Sequence, residues 1–370
     1  MRQKQWELFK KAAKLQPVDR VPVALIMDSP WLPGYLGISH MDYYFDSDQW
    51  YDANLKVMRE VPELIVFPSW WVEYGMAIEP SVFGSKICFH RDQPPAQFPM
   101  LFRLEDIDRF PPIDPFTDGL MSVALHSYRR QKARIRQAGY NIRMATARGP
   151  VCSTGFMRGI TEFMLDIADN PAAVHKLLTY VTDAIIQWLK AQVEVVGDSI
   201  EGIFILDDVV GFLSRRHYLE FAHPYLKQVF EAFPKDWVKV YHNDANLGPF
   251  LEDLSTTGLD VLNWSHKLDI AEARRRSSGK ICLMGNVAPL EIGTRGTPQE
   301  VKTATLSILE KVGGKGVILS LGGGVSSAEA LMAGSAGVSA GATSAGAAPG
   351  EKLSSGTGHA SSGAKSEITQ

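Results

Sequence analysis

Apolar residues in this chain gather into short, uninterrupted runs. Eight of them, at residues 21–27, 63–67, 141–146, 202–206, 237–242, 260–264, 280–284 and 316–320, are rich in β-branched or bulky side chains. Most are continuous rather than alternating, as expected of parallel strands covered on both faces. Between them the spacing turns helical. Residues 161–196 repeat apolar positions at three and four, with a break at Asn170-Pro171, where one helix must stop and another can start. Residues 217–233 form a second such run, broken near Pro224, and 270–276 and 297–312 are two more. The last opens on Thr297-Pro298-Gln299-Glu300: a cap, a first-turn proline and an acidic third residue.

Eight strands alternating with helices predict an α/β fold, a single (β/α)8 TIM barrel over residues 1–325. A doubly wound open sheet is the rival, but no GxGxxG follows a strand. Residues 70–140 make a long insertion after the second strand. With Pro94-Pro95 and Pro111-Pro112, it is expected to run over the top of the barrel and add one amphipathic helix. Residues 326–370 are different in kind. Ala, Gly and Ser supply 29 of these 45 positions, too little apolar surface to offset ordering entropy, so a disordered low-complexity tail is expected. Residues 327–332 are the one remnant of a helix after the eighth strand.

Composition narrows the function classes. The chain has 370 residues, 45% hydrophobic and 21% charged, with a net charge of −3. That supports a large core and gives no basic field for nucleic acid or an acidic membrane. The charged N-terminal stretch lacks a signal peptide's apolar run, and no segment reads as a membrane span. Cys88, Cys152 and Cys282 are far apart and odd in number, so a reducing, cytoplasmic setting is expected.

Barrel chemistry sits at the C-terminal ends of the strands. Those ends carry Asp28, Trp70 and Trp71, Arg148, Asp207 and Asp208, His242 and Asp244, Trp264 and His266, Asn286, and Gly322-Gly323-Gly324. Two adjacent carboxylates in a dry site need a proton or a cation between them, although one can instead cap the following helix. His242-Asn243-Asp244 can offer two ligands to a divalent metal or act as an acid/base pair. Asn286 can orient a substrate or simply satisfy loop backbone. The glycine run can let a ligand approach the backbone closely. The tryptophans suit either packing or a flat, large ligand.

Several segments in order resemble the uroporphyrinogen decarboxylase superfamily: Asp19-Arg20-Val21-Pro22-Val23, Arg148-Gly149-Pro150, Pro224-Tyr225-Leu226-Lys227, Tyr241-His242-Asn243-Asp244, Thr257-Gly258-Leu259-Asp260-Val261, Leu283-Met284-Gly285-Asn286-Val287 and Ile318-Leu319-Ser320-Leu321-Gly322. The resemblance implies a (β/α)8 barrel and one of two chemistries. Decarboxylases of the superfamily act on a cyclic tetrapyrrole and carry an arginine-rich segment after the first strand. Here that segment reads Ile26-Met27-Asp28-Ser29-Pro30-Trp31, without arginine, and a polycarboxylate needs guanidinium partners. The corrinoid-dependent methyltransferase branch holds zinc through a His-x-Cys pair and a later Cys. Those positions map to His242, Asp244 and Gly323, so the thiolates are missing.

The resemblance therefore implies a methyltransferase with a harder nitrogen–oxygen metal site, zinc favoured, built from His242, Asp244 and Asp208. Asp207, Asp208, His242 and Asp244 are the expected catalytic residues. Asp28, Trp70, Arg148, Trp264, Asn286 and Gly323 are the expected substrate contacts. The implied partners are a small corrinoid-binding protein that carries the methyl group and a small-molecule donor or acceptor, with oligomerisation left open. Tetrapyrrole decarboxylation and a non-catalytic corrinoid- or tetrapyrrole-binding barrel are the alternatives.

Overall fold

The structure, a computed structural model, describes residues 1–325. The expected tail at 326–370, including 327–332, lies outside the described residues. Eight parallel strands stand where the apolar runs predict them: β1 (Ala24–Ile26), β2 (Ile65–Phe67), β3 (Met144–Arg148), β4 (Gly202–Leu206), β5 (Val238–Asn243), β6 (Val261–Trp264), β7 (Cys282–Met284) and β8 (Val317–Ile318). The ladder runs consecutively from β8 back to β3, and β1 pairs with β2. A parallel bridge between Val23 and Leu319 joins the two sheets. Consecutive order closed through the first and last strands is a barrel, which excludes the doubly wound alternative.

The helices match their sequence signals closely. Ile160–Asp169 and Pro171–Val196 are separated at Asn170-Pro171, and Arg215–Phe221 and His223–Glu231 divide before Pro224. Pro298–Val312 begins with the expected capping box between Thr297 and Glu300. The insertion contains the expected amphipathic helix, Gly119–Gln137, and a small antiparallel pair, Ile87–Cys88 with Ala96–Gln97. Helix Gln3–Ala13 was not anticipated. Its Trp6, Phe9, Ala12 and Ala13 join the cluster that fills the barrel interior. Phe9 stacks on Phe67 at 5.1 Å, and Phe67 meets Phe204 edge-on at 4.9 Å. Lys10–Glu201 and Lys14–Asp260, each at 2.8 Å, tie this helix to the start of β4 and the approach to β6.

Among the described residues no ladder joins β2 to β3. Side chains serve the unpaired, buried edge of β3 instead. Gln192, from the helix Pro171–Val196, accepts from Thr146 N at 3.0 Å and donates to Thr146 O at 2.9 Å. Glu79 accepts from Arg148 N at 2.8 Å. Gln192 therefore takes the place of a neighbouring strand, which a buried peptide group requires. No helix of the described residues is long and apolar enough to cross a membrane.

Gln192→Leu keeps most of the volume but leaves the buried Thr146 N–H and C=O unpaired. We expect a loss of about 2–4 kcal/mol of stability, read as a lower urea midpoint with an unchanged slope. An unchanged midpoint would mean that the seam does not depend on this side chain.

Candidate active site at the barrel mouth

Successive residues of a strand face opposite ways. Ala24 and Ile26, Phe204 and Leu206, Val238 and Val240, and Val261 lie in the interior cluster. Continuing each alternation by one step gives Asp28, Asp208, His242 and Asn263. The polar layer at the top of the barrel is thus the next inward position of several strands. Strand register aligns it, with Leu206 opposite His242, His242 opposite Asn263, and Asn263 opposite Met284.

Asp208, His242 and Asp244 come together. One donor atom from each lies within 4.8 Å of the other two. His242 Nε2 stands 3.7 Å from Asp208 Oδ1, and that oxygen accepts from the Asp244 backbone N–H at 3.2 Å. Asp208 is pushed up from the ordinary carboxylate range by burial and by the Asp244 charge, against the pull of His242 and Arg148. Gly323, with φ of +141°, passes close by: a Cβ there would lie 3.4 Å from Asp244 Oδ2. One imidazole nitrogen and two carboxylates form a donor set suited to zinc or a similar divalent ion.

Asp207 does not share this cluster. It occupies the outward phase of the alternation and lies under Gly149, where its Oδ1 accepts from Cys152 N at 2.6 Å. It thereby holds the first turn of Pro150–Arg158, the helix after β3 and not the one that follows Asp207 itself. Burial pushes its carboxyl up to about 8, opposed by the backbone N–H groups of Cys152 and Val151. Of the two aspartates expected to be catalytic, the structure places Asp208 at the mouth with His242 and Asp244, and Asp207 beneath Gly149, holding the helix after β3.

A second group of buried charges borders the mouth. The Arg148 side chain donates to Gly75 O at 2.9 Å and lies 5.3 Å over the Trp71 ring. Its charge acts on Asp28, Glu73, Glu79 and Asp208. Glu73 accepts from Ser29 N at 2.7 Å and from Gly75 N at 2.8 Å. Burial, and next the Glu73 charge, push Asp28 up to about 8. Sequence reasoning missed Glu73 and Glu79, which lie in the insertion and follow no strand run. It also gave no role to Asn263 or Asn243. Asn243 donates to Asp207 O at 2.6 Å and accepts from Ala245 N at 2.9 Å, so it shapes the end of β5.

Trp70, Trp264 and Asn286 make contacts within the protein itself. Trp70 is fully buried, stacked on Tyr51 at 5.3 Å and edge-on to Trp50 and Tyr140. Trp264 is also buried and donates to Leu268 O at 2.9 Å. Asn286 donates to the same carbonyl at 2.8 Å, satisfying loop backbone. The structure does not bring these three to the Asp208–His242–Asp244 cluster as ligand contacts.

Comparison with known proteins supplies the relationships. The family model described as "Uroporphyrinogen decarboxylase (URO-D)" matches residues 4–333. Uroporphyrinogen decarboxylase of Pseudoalteromonas translucida (strain TAC 125) is 24% identical over 332 residues, covering 86% of this chain and 91% of that protein. The same-named protein of Chlorobaculum tepidum is 25% identical over 332 residues, covering 86% and 92%. Among solved structures, a methyltransferase from Methanosarcina mazei superposes with a TM-score of 0.76 at 20% identity, covering 90% of this chain and 99% of that one. A B12-independent methionine synthase from Shewanella sp. W3-18-1 gives 0.54 at 12% identity, covering 87% and 99%. These two structures share the fold.

The raised Asp28 pKa sets a direction for stability against pH. The folded state keeps this proton up to about 8, whereas the unfolded chain releases it near the ordinary 3.8. The contribution is fully present below the unfolded value and is lost as pH rises through the folded one. Asp28→Asn should therefore shrink the fall in Tm between pH 5 and 8. A fall as steep as in the parent would contradict the assignment.

Proposed function

The chain belongs to the uroporphyrinogen decarboxylase family, and within it we propose that it is a metal-assisted methyltransferase, moving a methyl group to or from a corrinoid carried by a separate small protein. The observation that carries this reading is the Asp208–His242–Asp244 donor set at the barrel mouth. The set fits a resident divalent ion, zinc favoured. Two neighbouring carboxylates balance a 2+ charge, and a bound cation would offset the burial and the Asp244 charge that raise Asp208. A divalent ion there supplies Lewis acidity, lowering the proton affinity of a substrate heteroatom so that it can give up or accept a methyl group.

The other residues of the mouth divide the remaining work. Arg148 is fixed by Glu79 at its backbone N–H and by Gly75 O at its guanidinium, so it presents a positioned positive charge. Asp28, protonated well above the usual carboxylate range, can donate a hydrogen bond at neutral pH. Asp207 holds the helix that begins beside Arg148. The corrinoid, its carrier protein and the small-molecule donor or acceptor belong to this reading, as does a cytoplasmic setting.

Decarboxylation of a porphyrinogen is the second reading, favoured by the names of relatives at 24% and 25% identity. The charge of the mouth counts against it. The Arg148 guanidinium is already shared among Asp28, Glu73, Glu79 and Asp208, so it has little positive charge to offer a substrate with many carboxylates.

Purified protein should carry about one zinc-class ion per chain by elemental analysis and demethylate methylcobalamin when a suitable acceptor is supplied. His242→Ala and Asp208→Asn should each lose most of the metal and the activity, while uroporphyrinogen should yield no coproporphyrinogen. Metal content and turnover unchanged in both variants, or clear porphyrinogen turnover, would overturn the proposal.

A further inference from the structure

Asn263 lies on β6, opposite His242 on one side and Met284 on the other. It is fully buried, and its amide is completely engaged. Nδ2 donates to Met284 O at 2.7 Å and to Leu321 O at 3.0 Å. Both partners are carbonyl oxygens, which only accept. The NH2 group must therefore face them, and Oδ1 must face the remaining neighbour, His242 Nδ1, at 2.7 Å. An amide oxygen only accepts, so Nδ1 must supply the proton. In the neutral imidazole, Nε2 is then left with its lone pair. That nitrogen is the one directed at Asp208 Oδ1, 3.7 Å away.

We propose that Asn263 is a positioning residue that sets the tautomer and ring orientation of His242, so that Nε2 is presented as a ligand to the Asp208–Asp244 site. The inference rests on the metal reading given above. A metal-bound imidazole commonly donates its other N–H to an outer partner that fixes the ring. Here the partner is neutral, so Asp208 and Asp244 remain the site's only two formal negative charges among its three donors. The same amide reaches Leu321, one residue before Gly322-Gly323-Gly324, and Gly323 packs beside Asp244. Asn263 thus ties the histidine ligand and the segment flanking the aspartate ligand to one anchor.

Two variants separate positioning from scaffolding. Asn263→Ala removes the acceptor for Nδ1 and both donor bonds. Asn263→Asp keeps an acceptor for Nδ1 but cannot donate to both carbonyls. The tautomer is read from 15N shifts of histidine-labelled, metal-stripped protein at a pH where the imidazole is neutral. Zinc affinity is read by competition with a chromophoric chelator.

The parent and Asn263→Asp should show the proton on Nδ1, and Asn263→Ala should lose that preference. Asn263→Ala should weaken zinc binding by about 10- to 100-fold, and Asn263→Asp should retain most of it. In a His242→Ala background, Asn263→Ala should cost no further affinity. A parent protein with its proton on Nε2, equal losses in both Asn263 variants, or an undiminished loss in the His242→Ala background would each overturn the proposal. If the parent binds no zinc, the metal reading fails separately and the tautomer measurement alone decides the role of Asn263.

Discussion

Two-residue alternation along the barrel strands is the constraint on which the rest of the structure depends. It sends Ile26, Leu206, Val240 and Val261 into the interior and, one step further, turns Asp28, Asp208, His242 and Asn263 inward at the mouth. A slip of one residue would exchange the roles of Asp207 and Asp208 and move His242 out of the interior. Ladders from β3 to β8 oppose such a slip, because it would break their backbone register and turn Lys239, which lies between inward Val238 and Val240, into the apolar interior. The site is therefore an outcome of core packing. The same side-chain phase that buries Phe204 delivers a carboxylate to the mouth.

The seam between β2 and β3 shows the same economy of means. Gln192 and Glu79 serve backbone groups of β3, and Glu79 in doing so fixes the residue that carries the mouth's guanidinium. Closing the barrel and placing Arg148 are one set of contacts. At the other end, helix Gln3–Ala13 covers the interior with Trp6 and Phe9. Apolar material fills the barrel from below, and charged groups collect above it. Their burial explains the upward shifts of Asp28, Glu73, Glu79, Asp207 and Asp208. A shared proton, Arg148 or a bound cation must offset that much carboxylate.

Much of this was legible in the sequence because buried parallel strands are continuous apolar runs and proline marks helix joints. The runs located all eight strands, and Asn170-Pro171 located the division before Pro171–Val196. The polar ends of the runs also pointed to Asp208, His242 and Asp244. What stayed hidden depends on tertiary contacts. Glu73 and Glu79 belong to an insertion with no strand period, so nothing local links them to Arg148. Asn263 sits inside an apolar run, where a lone amide reads as tolerated rather than used. Asp207 and Asp208 cannot be told apart until the phase of β4 is known. Trp264 ends β6 and Trp70 follows β2 by three residues, yet both rings are buried. The apolar positions Trp6, Phe9, Ala12 and Ala13 already carry the helical period that would have revealed the first helix.

The proposed activity requires a divalent ion held at the mouth by nitrogen and oxygen donors of Asp208, His242 and Asp244. X-ray absorption at the metal edge of the purified protein tests this most directly. It should show a first shell of nitrogen and oxygen scatterers at about 2.0–2.2 Å, with the outer-shell pattern of one imidazole. A sulfur scatterer at about 2.3 Å, or a shell without imidazole, would contradict it.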